Sequence, residues 1–288
     1  MSRRGDDLAA RASHLLVRDS GMCWWCQSRT ATTREHKYKK SDLRRLNSGD
    51  GLLWGSGGEP KREIRGINRS KPPLVFRKSL CAYCNNQRSQ PFDRAYAEFA
   101  DWITNRNVAR DAGIDFRRIY GSDWEESQEL MARYYAKHFG CRMVETGIPV
   151  PESLRAFLDS GLPMHDAHLG LVLNDEFHKD RRYRGGLILS GDLVYTDRSY
   201  AMITGIVQAA FLGPMGVRYQ WWNEPPDGLD SFVGHPMPIL NRFRTEEDVL
   251  TGAPARMKLA AQVKQAMGWV KDKRWRAAVQ GEERDAGE

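Results

Sequence analysis

Two cysteine pairs, Cys23-x-x-Cys26 and Cys81-x-x-Cys84, have the spacing that lets a knuckle turn both of its thiolates toward one tetrahedral ion. The opening residues, MSRRGDDLAARAS, lack the apolar run of a secretory signal, so the five cysteines point to a reducing compartment. There, CxxC spacing means metal or redox chemistry rather than structural disulfides. Redox chemistry needs a thioredoxin-like βαβ context around one pair, and neither pair has it. The quartet therefore reads as a closed structural Zn²⁺ site, which clamps together the ends of the intervening segment from Gln27 to Leu80. Within that segment lies Glu35–His36. An acid–imidazole pair in this position is either part of a metal-dependent active site or the polar edge of a metal-stapled knot. Cys141, at the end of a helical pattern, reads as a buried apolar thiol.

Charge surrounds the pair unevenly. Residues 1–110 hold 22 of the 44 Lys+Arg but only 11 of the 37 Asp+Glu. A basic first third points to a polyanion partner, nucleic acid first. The run RTATTREHKYKKSDLRR, with Lys37, Lys39, Lys40, Arg44 and Arg45, is dense enough to favour contact with a phosphate backbone over a merely solvated face. The longest charge-free stretch, Ser199 to Val217, is interrupted by Gln208, three glycines and Pro214. It reads as a buried core segment rather than a membrane span. With no targeting segment and no membrane span, the expected location is cytoplasmic.

Several elements must position these groups. A first helix is expected over Asp7–Asp19, and a Gly-rich hairpin or loop between the cysteine pairs. A helix follows the second pair, capped by Ser89, with Pro91 in its first turn. Ser122 with Glu125 forms a capping-box pattern for another helix running to about His138, with Gly140 to stop it. A short helix is expected between Pro151 and Gly161. HLGLVL, GGLILSGDLVYTD and VRYQWW then read as strands, and the last forty residues as helix. His165, Asp166, His168 and His178 raise a second metal site, although spaced surface histidines are the commoner case. WWNEPPDG and FVGHPMP read as aromatic turns suited to DNA, a modified base or a protein.

The stretches TREHK and LCAYCNNQRSQ resemble the zinc-stapled branch of the HNH (His-Me finger) endonuclease family. In that branch a CxxC is followed by a strand carrying an acid–His pair, and Leu-Cys-x-x-Cys-His or -Asn opens the closing helix. The likeness spans about residues 20–105. It departs from the pattern in two ways: Arg77 and Lys78 stand where a middle Asn is usual, and the chain is longer around Gly51–Gly66. The resemblance implies that His36 is the general base activating a water. It implies that Glu35 and Asn85 are ligands of a catalytic Mg²⁺ or Mn²⁺. Arg88, one helical turn beyond Asn85, becomes a phosphate clamp. Asn85 could equally cap the helix, and Asp93 is an ordinary first-turn acid or a further ligand. Trp24 and Trp25 are candidates for stacking on bases, with at least one packing on the finger's helix.

The expected fold class is α+β. A ββα-metal finger with a four-cysteine structural zinc occupies 1–110, and a mixed α/β targeting or regulatory domain of unassigned topology occupies 111–288. The expected activity is metal-dependent hydrolysis of DNA phosphodiesters, with RNA kept open as substrate. By resemblance alone it belongs in a restriction or phage-defence setting. Protein partners or self-association are expected through the C-terminal domain. The alternatives are a non-catalytic zinc-dependent nucleic-acid binder and a protein–protein module.

Overall fold

The computed structural model of the chain describes residues 13–46, 52–54, 62–64, 74–105, 113–161, 163–174, 187–189, 193–213, 215–225, 231–238 and 240–243. The architecture is mixed α+β. A first, N-terminal layer contains β1 (Thr33–His36), helix α1 (Lys40–Leu46), the small hairpin β2 (Leu52–Trp54) and β3 (Arg62–Ile64), and β4 (Val75–Leu80). Within the Gly-rich middle, the described residues Leu52–Trp54 and Arg62–Ile64 pair antiparallel, which fits the hairpin its composition suggests. β1 and β4 form an antiparallel two-stranded sheet. A π-helical turn over Tyr83–Arg88 then runs directly into α2 (Gln90–Asn105).

Two further helices, α3 (Phe116–Tyr120) and the long α4 (Trp124–Thr146), are followed by α5 (Glu152–Ser160). The rest is a six-stranded sheet in the order β10-β5-β9-β8-β6, with β7 also paired to β8. Its strands are β5 (Ala167–Asn174), β6 (Leu187–Leu189), β7 (Leu193–Thr196), β8 (Ile203–Leu212), β9 (Met215–Trp222) and β10 (Asn241–Phe243). Only the β10–β5 pairing is parallel. The charge-free stretch becomes β8 and the turn into β9, and β8 is buried along most of its length. A strand covered on both faces has no reason to alternate apolar with polar. No helix among the described residues is long and apolar enough to cross a membrane.

Four local expectations are corrected. The described part of the first helix is a single 3₁₀ turn, Ser13–Leu15; the chain then leaves helical geometry as Val17 N–H donates to the Gly147 carbonyl at 2.7 Å. Residues 7–12 lie outside the described set. Ser89 does not cap α2 through its side chain: its hydroxyl donates to the Asn85 carbonyl at 2.7 Å, because the π turn already feeds α2 from behind. The Ser122–Glu125 box does not form. The Ser122 hydroxyl bonds Asp123, and a 3₁₀ turn over Gly121–Asp123 leads into α4.

The fourth correction is the largest. α4 runs past His138 and through Gly140 to Thr146. It ends at Gly147, whose φ of +79° lets its N–H reach Val144 while Ile148 N–H reaches Met143, the Schellman pattern. Gly140 serves close approach instead. A Cβ at this position would run into the indole of Trp24. The expectation for α5 holds, with Pro151 leading in and left-handed Gly161 leading out.

One apolar cluster runs from Cys23 through Phe76, Phe99, Phe139 and Tyr219 to Phe232. The division expected at 110/111 therefore does not separate two cores. α4 lies between the layers, touching α2 and β4 on one side and β9 on the other. The helical expectation for the last forty residues falls outside the described set.

Candidate metal centre and active site

The first knuckle is built by backbone bonds. Cys23 N–H donates to the Arg29 carbonyl at 2.7 Å, and Gln27, at φ +54°, donates back to the Cys23 carbonyl at 2.8 Å. Trp24 N–H bonds the Ser79 carbonyl at 3.1 Å and ties this knuckle to the end of β4, where the second begins. There, Asn85 N–H bonds the Cys81 carbonyl at 3.0 Å. The ligand atoms of Cys23, Cys26, Cys81 and Cys84 all lie within 4.8 Å of one another, and the Cys26 and Cys81 sulfurs are 3.9 Å apart. A tetrahedron with Zn–S bonds of about 2.3 Å has edges of about 3.8 Å, so the four thiols fit a metal ion such as zinc. Burial raises the Cys23 and Cys84 thiol pKa values. A cation is what would draw the protons off them.

The stapled elements carry the acid–imidazole pair. Neighbours on a regular strand point to opposite faces. β1 is not regular: its register against β4 shifts between Arg34 and His36, the interval that contains Glu35. Arg34 is exposed, whereas Glu35 and His36 are both partly buried. His36 Nε2 is buried and has no hydrogen-bond partner. Burial lowers the imidazole pKa and outweighs the upward pull of Glu35; Lys40 and Lys137 lower it further. The ring is therefore held in its neutral, proton-accepting form.

Asn85 reaches the same strand from the π turn. Its side-chain N–H donates to the Arg34 carbonyl at 3.4 Å, which leaves Oδ1 buried and unpartnered. Asn85 thus reaches the backbone of β1 at Arg34, the residue before Glu35, and an unsatisfied amide oxygen is a donor type suited to a hard divalent cation.

Glu35 itself is not open on all sides. Its Oε2 lies 3.0 Å from the ammonium of Lys137, which reaches in from α4 and is 1% exposed. The same Nζ is 3.2 Å from Ser89 Oγ and 3.8 Å from Asp93 Oδ2. Lys39 approaches Asp93 from the other side, 3.8 Å from Oδ1 and bonded to the Asp93 carbonyl. Asp93 is a first-turn acid of α2, as expected, and its carboxylate also faces Lys137 and Lys39. Spacing around residues 20–105 gives no hint of Lys137. Its only trace is a lysine on the helical stripe shared by Tyr134 and Cys141, both buried.

The remaining expected contacts are distributed differently. Lys37 pairs with Glu145 at 2.7 Å, and the other Glu145 oxygen accepts from Arg77 N–H at 2.7 Å. Arg88 pairs with Asp159 at 2.7 Å and lies over the Trp25 ring. Lys40 begins α1, half-buried and close enough to act on His36. Trp24 and Trp25 are buried, 7% and 2% exposed, so base stacking is closed to both. Trp25 stacks on Phe92 and donates to Asp159. Arg34 and Lys78, both exposed, lie directly opposite each other on β1 and β4. Like charges so placed repel, and an anion would relieve them.

At the suggested second metal site, Asp166 accepts from the Trp221 indole at 2.9 Å. Among the described residues, His165 and His168 join no converging ligand group. His178 lies outside them. No protein-family model, curated protein or solved structure matches the chain.

Proposed function

We propose that this chain is a metal-dependent endonuclease of the zinc-stapled HNH type, cutting phosphodiester bonds of DNA. One observation carries the reading. Two buried, unpartnered polar atoms, His36 Nε2 and Asn85 Oδ1, sit on the two elements that the cysteine quartet joins, with Glu35 beside them. Buried polar groups normally find partners; such atoms occur elsewhere in the chain too, and it is the position of these two, on the strand of Glu35 and directly after the last thiol, that supports the reading. His36, neutral and proton-accepting, takes a proton from the attacking water. Glu35 and Asn85 hold the divalent cation. When bound, Mg²⁺ or Mn²⁺ supplies charge stabilisation for the phosphate and the departing 3′ oxygen. Arg34 and Lys78 face the phosphate backbone, a role the expected Lys37 and Arg88 take up only by leaving their carboxylate partners.

His36→Ala should lower metal-dependent nicking of plasmid DNA by about 10²-fold or more while the zinc content stays that of the parent. Unchanged nicking removes the mechanism. The Glu35–Lys137 pair favours one rival, a zinc-dependent nucleic-acid binder in which Glu35 is simply neutralised. That protein would bind DNA in a salt-sensitive way without Mg²⁺, and Glu35→Gln would leave its binding unaltered.

A further inference from the structure

A lysine buried to 1% exposure has no route to solvent and must be balanced where it stands. Lys137 is balanced by the carboxylate assigned above to the catalytic cation. Among the described ion pairs here, Glu35 and Asp93 carry two negative charges against two positive ones on Lys137 and Lys39; next to them buried Asp42 acts on Lys39 and Lys40 acts on His36, one further charge of each sign. Ser89 locks the arrangement, since its hydroxyl spends its proton on the Asn85 carbonyl and accepts from Lys137. The centre is thus electrically neutral before any divalent cation arrives. An added cation must share Glu35 with an ammonium that cannot withdraw into water, and it brings two uncompensated charges into a partly buried place.

We infer that Lys137 is a resident cation that makes this centre take up its divalent metal together with a phosphodiester anion rather than alone. The inference rests on the reading of Glu35 as a metal ligand. It adds a regulatory property to that site: the metal is retained when nucleic acid is present to balance it. It also makes α4, outside the stretch that resembles a nuclease finger, part of the centre.

The test is Mn²⁺ binding, followed by electron paramagnetic resonance on the full-length, zinc-loaded chain. The His36→Ala background keeps DNA intact, and each titration is run with and without a short DNA duplex. The Lys137 chain should bind Mn²⁺ weakly alone and at least about tenfold more tightly with duplex. Lys137→Met leaves the set one charge negative. It should bind Mn²⁺ alone at least about tenfold more tightly than the parent and gain little from duplex, whereas Lys137→Arg should behave like the parent. Lys39→Met alters the same charge count from a more exposed position, so it should shift affinity the same way by a smaller factor. It decides the matter if Lys137→Met loses zinc or melts below the assay temperature. Parent-like Mn²⁺ affinity in both methionine variants, with zinc retained, overturns the inference, as does a parent indifferent to duplex. Glu35→Gln separates the two levels. If it weakens Mn²⁺ binding while the methionine variants are neutral, only the resident-cation inference falls. If it changes nothing in any arm, the assignment of Glu35 as a ligand falls first.

Discussion

The two layers on either side of α4 solve the problem of burial in opposite ways. The six-stranded sheet is held largely by strand pairing: β8 and β9 bond from Gly205–Trp222 to Leu212–Met215, and their side chains are mostly apolar and covered. Among the described residues the N-terminal layer has two two-stranded ladders, β1–β4 with two register shifts and the short β2–β3 pair, each less than an isolated sheet needs in water. It compensates with the thiol quartet and with polar contacts from one face of α4. Along that face, Lys137 meets Glu35, His138 meets the Lys37 carbonyl, and Glu145 meets Lys37 and Arg77. On the sheet side, Phe139 stacks on Tyr219. Both layers bury polar side chains, Gln208 and Arg218 in the sheet and Lys137 and His138 against the N-terminal layer, but in the latter they meet charged and polar groups of β1 and of the segment that follows it.

Breaking the staple should have the largest effect. Structural zinc sites supply free energy of roughly 10 kcal/mol, comparable with the whole stability of an ordinary domain. Cys84→Ser should therefore strongly destabilise the N-terminal layer. Because the apolar cluster is shared across α4, the loss should carry through to the sheet. Tryptophan emission and far-ultraviolet circular dichroism should melt together, at a lower temperature than in the parent. Two separated transitions would show that the layers are independent and that the contrast drawn between them is too strong.

His138 gives a smaller and more selective test. Burial holds its pKa down to about 4 despite the upward pull of the Lys37 carbonyl, with Arg142, Lys137 and Lys37 lowering it further. The unfolded chain takes up this proton near pH 6.5, whereas the folded chain takes it up only near 4. The contribution to stability is therefore complete above about pH 6.5 and is lost progressively as the pH falls to about 4. From these two values the loss is on the order of 3 kcal/mol. Chemical denaturation at pH 7 and pH 4.5 should show it, and His138→Gln should flatten the difference. An unchanged slope in the variant would move the acid sensitivity to other groups.

Much of the site could be read from residue types, and the reason is local. CxxC spacing, an acid–His pair and Asn after the last cysteine each occupy only a few residues, so short patterns reveal them. The short helix between Pro151 and Gly161 was legible for the same reason. What escaped was contact at a distance. Lys137 is 102 positions from Glu35, and the two meet only because α4 packs on the β1–β4 layer. Gly140 looked like a stop because glycine often is one; nothing near it in the sequence says that Trp24 packs there. Strands β5, β6, β7 and β9 were visible as apolar or alternating runs, β8 only as a buried core segment, and their order was not legible, since β8 pairs with both β6 and β7.

Gly140 turns that lesson into a measurement. In a solvent-facing helix position, Gly→Ala stabilises by up to about 1 kcal/mol. Here a methyl group would collide with the buried Trp24 indole on the knuckle. The expected effect has the opposite sign, a loss of about 1–3 kcal/mol from overpacking. Thermal or denaturant unfolding of Gly140→Ala reads it directly, and a gain in stability would mean that α4 and the knuckle are not tightly packed.

The smallest effect on stability asks the most about function. Asp159 on α5 accepts from the Trp25 indole and pairs with Arg88, with side chains 46% and 31% exposed for Asp159 and Arg88. An ion pair this open contributes roughly 0–1 kcal/mol, so Asp159→Asn should scarcely alter the unfolding midpoint. The amide keeps an oxygen for Trp25 but releases the guanidinium from its countercharge. If Arg88 then reaches the phosphate backbone, DNA affinity rises and falls more steeply with salt, the logarithmic slope growing by about 0.9 for one added phosphate contact. If the slope is unchanged, Arg88 is a brace between the π turn and α5. Arg34 and Lys78 would then carry the backbone contact, and replacing either with Gln should reduce the slope by that same amount.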